Sequence, residues 1–490
     1  MAYRNLTGEP CISVRRLIIR IGSLLVEQSA KGSGLGLMSA KGLTNNELLL
    51  TVPSGVALSV ESPGEGPDHT ACFDYVTDRR ILRDSPWYVQ FAVYLYGLDS
   101  IDPIRRNNQI DMTPWLNVLP RQFNTPIHWD TNAREELQYP QMVESLQRQE
   151  REWKKHFATI QRVATGGLEN MSWDDFVWGC ECARSRVFSG AFTGSAFNPA
   201  IYAFTLLLVT AYVGLGLGTI EQAANGAAVV LCASIFKDFV LPKLASTQRY
   251  VLCPVLDMAN HQSLGHQGDV SFEFFGDAYS LAATTPVSQG SQLYISYGPR
   301  SNDQLLQYYG FVEPNNPHDV YIMPPLREWD IEALEQACGR KFAPGRLQKL
   351  DRAGLLGSTE SNDDEEDDED GFRVSNPRGG VVVTRTAGVD PAVIQALRAL
   401  VSTDQEWQAA GEAVGNFATE VGPANEKLAK LAAQTALQLE LDNKPTTLQQ
   451  DKELLKRASK STITSPEDEL AILFRIEKKK LLLETIDSLA

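Results

Sequence analysis

The pattern of apolar and polar residues predicts short strands near the beginning of the chain and helices toward its end. Residues 20–60 contain short apolar runs around a Gly-rich turn, which is typical of strands. Helical periodicity, with apolar residues three or four positions apart, covers 85–100, 133–165, 171–189, 391–402, 404–418, 424–441 and the residues after Ser465. Between the first two helical patterns, 115–129 reads as an irregular connection.

Start signals mark two of these helices. Ser172 is placed to cap the helix over 171–189, with two aspartates in its first turn. Ser465 is followed by Pro466, and Asp468 stands at the capping-box position. The last helix has one apolar face, made of Leu470, Leu473, Phe474, Leu481, Ile486 and Leu489. The end of the chain is therefore predicted to be a helical module.

Two polar clusters interrupt apolar sequence between residues 250 and 317. Asp257-Met-Ala-Asn260-His261 follows a strand-like run, Val251 to Leu256. Tyr294-Ile-Ser-Tyr297-Gly298 is followed, after a short helical pattern, by Tyr308-Tyr309-Gly310-Phe311. Polar groups in apolar surroundings cost several kcal/mol unless they are paired. These residues therefore either hydrogen-bond one another or line a site, with Tyr294 and Tyr308 expected to be core residues.

A long apolar stretch lies between the helix over 171–189 and the first polar cluster. Ile201 to Ile220 has about the length of a membrane-spanning helix, and a second apolar run covers 223–236. The sequence supports the hypothesis of an apolar hairpin over 201–242 that associates with a membrane. The alternative is a helical pair packed on the rest of the protein, or a patch that binds a partner.

Charge and cysteine content exclude several classes of protein. The net charge is −16, and residues 360–370 form an acidic run that predicts a solvated, disordered loop. Because clustered Lys and Arg are few, we expect no nucleic-acid partner. Lys478-Lys479-Lys480 is predicted to be a solvated helix face. The seven dispersed cysteines indicate neither a disulfide framework nor a zinc site, and favour a reducing compartment such as cytoplasm, nucleus or plastid.

The two polar clusters resemble a known family. LDMANH at 256–261, paired with YG-x-x-SN-x-x-L-x-x-YGF at 297–311, resembles the SET-domain methyltransferases, in particular the branch of the plant Rubisco large-subunit lysine methyltransferase. SRVFS at 185–189, the W-x-x-x-LP stretch at 115–120 and T-T-x-x-x-D-x-x-L at 446–454 are also similar to motifs of that branch. The resemblance implies an α+β fold, with small twisted β-sheets, a pseudoknot and an all-helical C-terminal domain.

The resemblance also implies a domain division and roles for individual residues. A SET catalytic domain is expected over 1–320, with a helical insert at about 113–250, and a helical substrate-binding domain over 321–490. S-adenosyl-L-methionine is the implied cofactor, and a protein lysine side chain is the implied substrate. The residues implied to bind the cofactor are Ser33, Gly34, Leu35, Arg186, Asn260 and His261. The implied catalytic residues are Tyr297, Tyr309 and Asp257, and the implied pocket walls are Phe188 and Phe311.

Simpler interpretations remain open for several of these residues. The Gly-rich turn is also consistent with a hairpin that binds no ligand, Asp257 with a strand-end cap, and His261 with an ordinary buried histidine. For the whole chain, the rivals are a non-catalytic SET-fold interaction protein, a membrane-associated scaffold and a protein-histidine methyltransferase. The histidine-modifying branch of the family does not keep the tyrosine of YGF, so Tyr309 favours lysine. Neither the substrate protein nor the number of methyl groups follows from the sequence.

Overall fold

The computed structural model describes most of the chain. The described residues are 20–21, 24–28, 34–61, 74–101, 106–107, 110–190, 199–215, 219, 249–273, 278–358, 376, 379–458 and 465–490. Ser33, the acidic run over 360–370 and the second apolar run over 223–236 lie outside them.

Strands and helices alternate irregularly. The described strands are β1 (Arg20–Ile21), β2 (Leu24–Gln28), β3 (Leu35–Ser39), β4 (Leu48–Pro53), β5 (Leu58–Glu61), β6 (Arg106–Asn107), β7 (Ile110–Asp111), β8 (Val187–Gly190), β9 (Arg249–Leu252), β10 (Asn260–His261), β11 (Gly268–Glu273), β12 (Ala278–Ala283), β13 (Tyr294–Ile295), β14 (Val320–Met323), β15 (Val381–Thr384) and β16 (Gly388–Val389). The described α-helices are α1 (Arg79–Arg83), α2 (Trp87–Tyr96), α3 (Thr113–Leu116), α4 (Thr131–Glu135), α5 (Pro140–Val163), α6 (Trp173–Arg186), α7 (Pro199–Gly214), α8 (Asn302–Tyr309), α9 (Ile331–Cys338), α10 (Arg346–Arg352), α11 (Pro391–Val401), α12 (Asp404–Ala409), α13 (Pro423–Asp442), α14 (Leu448–Ala458) and α15 (Pro466–Leu489). The predicted α+β class is confirmed.

The chain forms two compact units. Unit 1 contains Met1–Gln122 and Trp153–Ser296, and unit 2 contains Phe123–Glu152 and Tyr297–Ala490. Each unit is therefore assembled from two separate stretches of sequence.

Small sheets form the framework of unit 1. A six-stranded sheet has the order β1-β4-β12-β11-β13-β10, and a three-stranded sheet has the order β5-β9-β8. The inner strands β4 and β12 pair antiparallel and bury most of their residues, as strands covered on both faces do. At one edge, β10 and β13 pair parallel, with Asn260 opposite Tyr294 and His261 opposite Ile295. This pairing places the first two residues of the second sequence cluster beside Asn260 and His261.

Helices α2 and α6 pack closely in unit 1. All ten residues of α2 are buried. On α6, a Cβ built at Gly179 would lie 2.7 Å from Cα of Ala92 on α2, so a glycine is needed for this approach. The expected cap is confirmed, because Ser172 and Asp175 form a reciprocal capping box.

Two element boundaries differ from the sequence prediction. Helix α6 ends at Arg186 instead of continuing to Ser189, because Val187–Gly190 pairs with β9 as a strand. The run expected to be a strand over 251–256 leaves the sheet after Leu252, and Val255 takes a positive φ of 77°. In both places, long-range strand pairing decided between local patterns of similar strength.

A helical core dominates unit 2. Helices α11, α13 and α15 carry many of its buried apolar side chains, and the sheet β14-β15-β16 lies against α15. The N-cap of α15 is confirmed, since the Ser465 side chain accepts from the backbone N–H of Asp468. The helix predicted over 404–418 is instead a short α12 followed by a 3₁₀ turn, Val414–Phe417. Helix α15 is buried around most of its circumference, well beyond the apolar face seen in the sequence.

The prediction of a solvated basic face at 478–480 was wrong. Lys478 and Lys479 are 3% and 2% exposed. Lys478 bonds Asp303 and Asp319, while Lys479 bonds Asp451. A run of like charges on a helix usually faces water, but here buried carboxylates pair with all three lysines, since Lys480 Nζ donates to Oε1 of the buried Glu477 at 2.6 Å. Removing one partner of such a buried pair costs about 3–5 kcal/mol.

The apolar stretch after residue 198 begins with α7, which has 16 residues. Several of its large side chains are exposed, including Leu207 and Leu208. Within the described ranges, no helix is both long enough and apolar enough to cross a membrane. The hypothesis of a membrane hairpin over 201–242 is therefore not supported by the described part of that segment.

The contact between α2 and α6 generates a stability prediction. Gly179→Ala should destabilise unit 1 by about 1–3 kcal/mol, because the added methyl meets the backbone of Ala92. At an unconstrained helix position, the same change stabilises by up to about 1 kcal/mol. Urea unfolding, followed by circular dichroism, measures the difference.

Gly214→Ala is the matched control. Among the described residues, no atom comes within 4 Å of a Cβ at Gly214, so stability should change by less than about 1 kcal/mol. Equal effects of the two substitutions would contradict the close approach of α2 and α6.

Candidate active site

A hairpin and a polar strand meet in unit 1. Strands β2 and β3 pair antiparallel, and the exposed Gly34, with a φ of 73°, precedes β3. The Asn260 side chain, on β10, donates from Nδ2 to the Leu35 carbonyl oxygen at 3.2 Å. A Cβ built at Gly36 would lie 2.9 Å from Asn260 Nδ2 and 2.5 Å from Gln292 Nε2. A glycine at 36 therefore allows two amide side chains to approach the hairpin backbone.

Hydrogen bonds from the residues that follow Asn260 and His261 add to the pairing of their strand, β10, with β13. Gln262 donates from its backbone N–H to the Ile295 carbonyl, and Gln267 donates to that of Tyr294. His261 Nε2 lies 3.0 Å from Ser263 Oγ. Both Asn260 and His261 remain half-buried. Their backbone is fixed, while their side chains keep some access to solvent or to a ligand.

Asp257 lies in a buried polar cluster. Its side chain is 0% exposed. Arg186 donates from one terminal nitrogen to the Asp257 carbonyl oxygen at 3.1 Å and to Oδ2 at 3.2 Å. Trp115 Nε1 lies 3.3 Å and 3.4 Å from the two carboxylate oxygens. The carboxylate of Asp257 is thus shared by a guanidinium and an indole N–H.

The electrostatics of Asp257 follow from this environment. Burial raises the pKa of the Asp257 carboxyl, and the charge of Arg186 and the Trp115 hydrogen bond offset part of that rise. Arg186 Nε is buried with no hydrogen-bond partner among the described residues. Arg184, in contrast, packs over the Tyr88 ring at 4.3 Å and belongs to the core. Arg186, and not Arg184, is therefore the arginine that contacts Asp257.

Phe188 lies next to this cluster in sequence, on β8. It is half-buried and pairs with Val251 of β9. Because the helix ends at Arg186, Phe188 lies on a strand. The direction of the Phe188 side chain therefore follows strand geometry and not helix geometry.

The second group of candidate residues lies in unit 2. The rings of Tyr297 and Tyr309 stack with centroids 5.0 Å apart and planes inclined by 29°. Phe311 meets Tyr309 edge-on at 6.3 Å. All three side chains are half-buried. Together they form a partly open aromatic cluster that carries two phenolic hydroxyls.

Helix α8 positions Tyr309 within this cluster. Ser301 and Gln304 form a capping box at its start. It ends at Gly310, whose φ is 72°, and a Cβ there would lie 3.2 Å from the Asn124 carbonyl oxygen. Arg300 Nε donates to the Tyr297 carbonyl oxygen at 3.3 Å. The chain is therefore constrained on both sides of the tyrosine pair.

Two expectations about neighbouring tyrosines were wrong, and two polar partners were missed. Tyr294 and Tyr308 are half-buried instead of core residues, and the Tyr294 hydroxyl donates to Gln292 Oε1 at 3.2 Å. Sequence reasoning did not identify Gln292 or Trp115 as parts of the polar clusters. The W-x-x-x-LP similarity drew attention to Trp115, but nothing local indicated its bond to Asp257.

Metal and disulfide chemistry have no visible support in the described part of the chain. Within it, no three His, Cys, Asp or Glu side chains are arranged to hold a metal ion. Cys180, Cys182, Cys253 and Cys338 are free thiols. Burial raises the pKa of Cys180, Cys182 and Cys253, which keeps these thiols protonated at neutral pH.

Known proteins are similar to this chain in sequence and in fold. The family described as Rubisco LSMT substrate-binding matches residues 339–482. The chain is 21% identical over 483 residues to the chloroplastic ribulose-1,5 bisphosphate carboxylase/oxygenase large subunit N-methyltransferase of Pisum sativum, covering 95% of this chain and 77% of that protein. It is 26% identical over 313 residues to the actin-histidine N-methyltransferase of Drosophila melanogaster, covering 62% of this chain and 49% of that protein.

Coverage of the relatives is uneven. The chain spans about half the length of the actin-histidine enzyme. It spans about a third of the length of the ribosomal lysine N-methyltransferase set10 of Schizosaccharomyces pombe. The solved structure of Rubisco LSMT bound to AdoMet superposes with a TM-score of 0.58 at 17% identity, covering 97% of this chain and 88% of that one. The fold of this chain is thus that of the LSMT structures, and its sequence is similar to the Rubisco large subunit N-methyltransferase of Pisum sativum over most of its length.

Proposed function

We propose that this chain is an S-adenosylmethionine-dependent protein-lysine N-methyltransferase. The observation that carries the proposal is the partly open aromatic cluster of Tyr297, Tyr309 and Phe311, with its two hydroxyls. The proposal is supported by the relatives that are named as lysine N-methyltransferases and by the LSMT fold.

Methyl transfer to lysine requires a neutral amine that is aligned with the methyl carbon. A free lysine has a pKa of about 10.4, so the amine must lose a proton before it can attack. Aromatic walls desolvate the ammonium and lower its pKa, which favours the neutral form. We assign this role to Tyr309 and Phe311, with Phe188 as a further wall. The Tyr297 hydroxyl would orient the amine and attract the partly positive methyl group in transit.

The cofactor fits the polar residues of unit 1. S-adenosylmethionine supplies an electrophilic methyl group on a sulfonium. Its amino-acid and adenine parts require backbone and amide groups, and we assign these to Gly34, Leu35, Asn260 and His261. The exposed Gly34 supports this assignment, since among the described residues no atom lies within 4 Å of a Cβ built there. Ser33, also assigned, lies outside the described residues.

Arg186 and Asp257 complete the assigned site. The buried Nε of Arg186, which has no hydrogen-bond partner in the described part of the chain, supports a role beside the cofactor. Because the Asp257 carboxylate is already shared by Arg186 and Trp115, we assign Asp257 the task of holding that arginine. The reaction then needs no acid–base pair in the enzyme.

Histidine methylation is the second candidate, favoured by the actin-histidine relative. Tyr309 argues for lysine, because the family resemblance implies that the histidine branch lacks this tyrosine. We further propose a SET catalytic domain over 1–320 and a helical domain over 321–490 that binds the protein substrate. The net charge of −16 is consistent with a protein substrate and unfavourable for a nucleic acid.

Labelled cofactor tests the proposed activity. The purified protein is incubated with methyl-labelled S-adenosylmethionine and cell lysate, and the labelled protein is hydrolysed to amino acids. We expect methyl-lysine. Methyl-histidine would support the second candidate, and cofactor binding without any transfer would support a non-catalytic SET protein.

Tyr297→Phe should lower kcat by about 100-fold and leave the Kd for S-adenosylmethionine within about twofold. The hydroxyl is proposed to act on the methyl in transit, so its removal affects the transition state and not the bound cofactor. Single-turnover kinetics and calorimetric titration measure the two quantities. Tyr308→Phe is the control, with kcat expected within about twofold; equal losses in both variants would refute the assigned role.

Asn260→Ala should weaken cofactor binding about tenfold, equivalent to about 1.4 kcal/mol. The reason is loss of the amide that holds the Leu35 carbonyl of the proposed cofactor hairpin. The control is Gln289→Ala, since Gln289 makes a similar amide bond to the Ala40 carbonyl at an exposed position. Calorimetry should detect no change for the control, and an unchanged Kd for Asn260→Ala would remove Asn260 from the cofactor site.

A further inference from the structure

Lys478 is a buried cation between two carboxylates of unit 2. It projects from α15, the last helix, and its side chain is 3% exposed. Its Nζ donates to Asp303 Oδ2, to Asp319 Oδ1 at 2.8 Å and to the Val320 carbonyl oxygen at 2.6 Å. The side chains of Asp303 and Asp319 are 7% and 0% exposed. Water therefore cannot replace the lysine as their partner.

The two carboxylates belong to opposite ends of one segment. Asp303 lies in the first turn of α8, and Asp319 immediately precedes β14. Between them, Asn302 Nδ2 donates to Asp319 Oδ2 at 2.9 Å, and the Glu313 backbone N–H donates to Asn302 Oδ1 at 2.9 Å. Lys478 and Asn302 thus close the segment into a loop whose helix carries Tyr309.

The charge of Lys478 is preserved by its surroundings. Burial lowers the pKa of the Lys478 ammonium. The charges and hydrogen bonds of Asp303 and Asp319 together raise it by more than burial lowers it, so the pKa lies above its ordinary value. Burial raises the pKa of Asp303, and Lys478 offsets part of that rise. At neutral pH the lysine is a cation, and without it two buried carboxylates would repel each other at the start of α8.

Lys479, the next residue, supports a different part of unit 2. Its Nζ donates to Asp451 Oδ2 at 2.5 Å, to the Thr446 hydroxyl at 2.8 Å and to Gln138 Oε1 at 3.1 Å. None of these three residues lies on α8. Two neighbouring buried lysines on one helix therefore connect to different segments, one with Tyr309 and one without it.

We propose that Lys478 is a positioning residue for methyl transfer: through Asp303 it fixes α8, and through α8 it fixes Tyr309 against Tyr297. The inference rests on the proposed methyltransferase function. A displacement of about 1 Å in a positioning group can cost about 100-fold in rate, so a cation that anchors the helix from the end of the chain acts on turnover without touching the substrate.

Lys478→Met and Lys479→Met form the matched pair that tests this. Both remove a buried ammonium from the same helix and keep the side-chain volume, so both should lower the thermal midpoint. Hydrogen exchange should show loss of protection over 302–310 in Lys478→Met only. In Lys479→Met, protection should fall around Thr446 and Asp451 instead.

Kinetics then separate positioning from stability. At a temperature where both variants are folded, Lys478→Met should lose about tenfold or more in kcat. Its KM for S-adenosylmethionine should stay within about twofold, because the assigned cofactor residues lie in unit 1. Lys479→Met should keep kcat within about twofold of wild type. Equal kcat values for the two variants would overturn the proposal.

Two further measurements remove ambiguity. If Lys478→Met does not fold, Asp303→Asn replaces it, since Lys478 then keeps Asp319 and the Val320 carbonyl as partners; an unchanged kcat and unchanged exchange over 302–310 would refute the proposal. If wild type binds no S-adenosylmethionine and transfers no methyl group, the proposed function fails. In that case hydrogen exchange still reports whether Lys478 holds α8.

Discussion

The buried charge of Lys478 on the last helix connects distant parts of unit 2. Lys478 joins residues far apart in sequence, since Asp303 lies 175 positions earlier. An ammonium and two carboxylates can be buried together only when each is paired and hydrogen-bonded, so their geometry tolerates little variation. In our proposal, the position of α8, and with it that of Tyr309, depends on this lysine near the end of the chain.

In unit 1, hydrogen bonds between neutral groups hold much of the first polar cluster in place. The Asn260 amide reaches the Leu35 carbonyl because residue 36 has no side chain, and the parallel pairing of β10 with β13 fixes the adjacent backbone. Asp257 and Arg186 add a single buried ion pair, with Trp115 as a second donor. Hydrogen bonds thus fix most of these polar groups, while Arg186 Nε has no partner among the described residues.

The proposed chemistry is consistent with how these groups are distributed. Alkyl transfer from a sulfonium requires alignment and desolvation of the amine, and no proton donor or metal. Backbone, amide and guanidinium groups dominate the polar clusters of unit 1, while aromatic rings with hydroxyls dominate the candidate group of unit 2. The family resemblance implies roles for these groups, and the geometry shows their hydrogen-bond and ring partners.

The sequence by itself determined the fold class, most of the longer helices and the central residues of the two polar clusters, but not Trp115 and Gln292, which bond to them. Local signals suffice for these features, because caps such as Ser172 and Ser465 and helical periodicity act within a few residues. Only the tertiary structure decided three other features: the burial of Lys478 and Lys479, the strand after Arg186 and the hydrogen-bond partners of Asp257. Each depends on residues tens to hundreds of positions away, and a lysine on a helix carries no local indication of whether water or a buried carboxylate will face it.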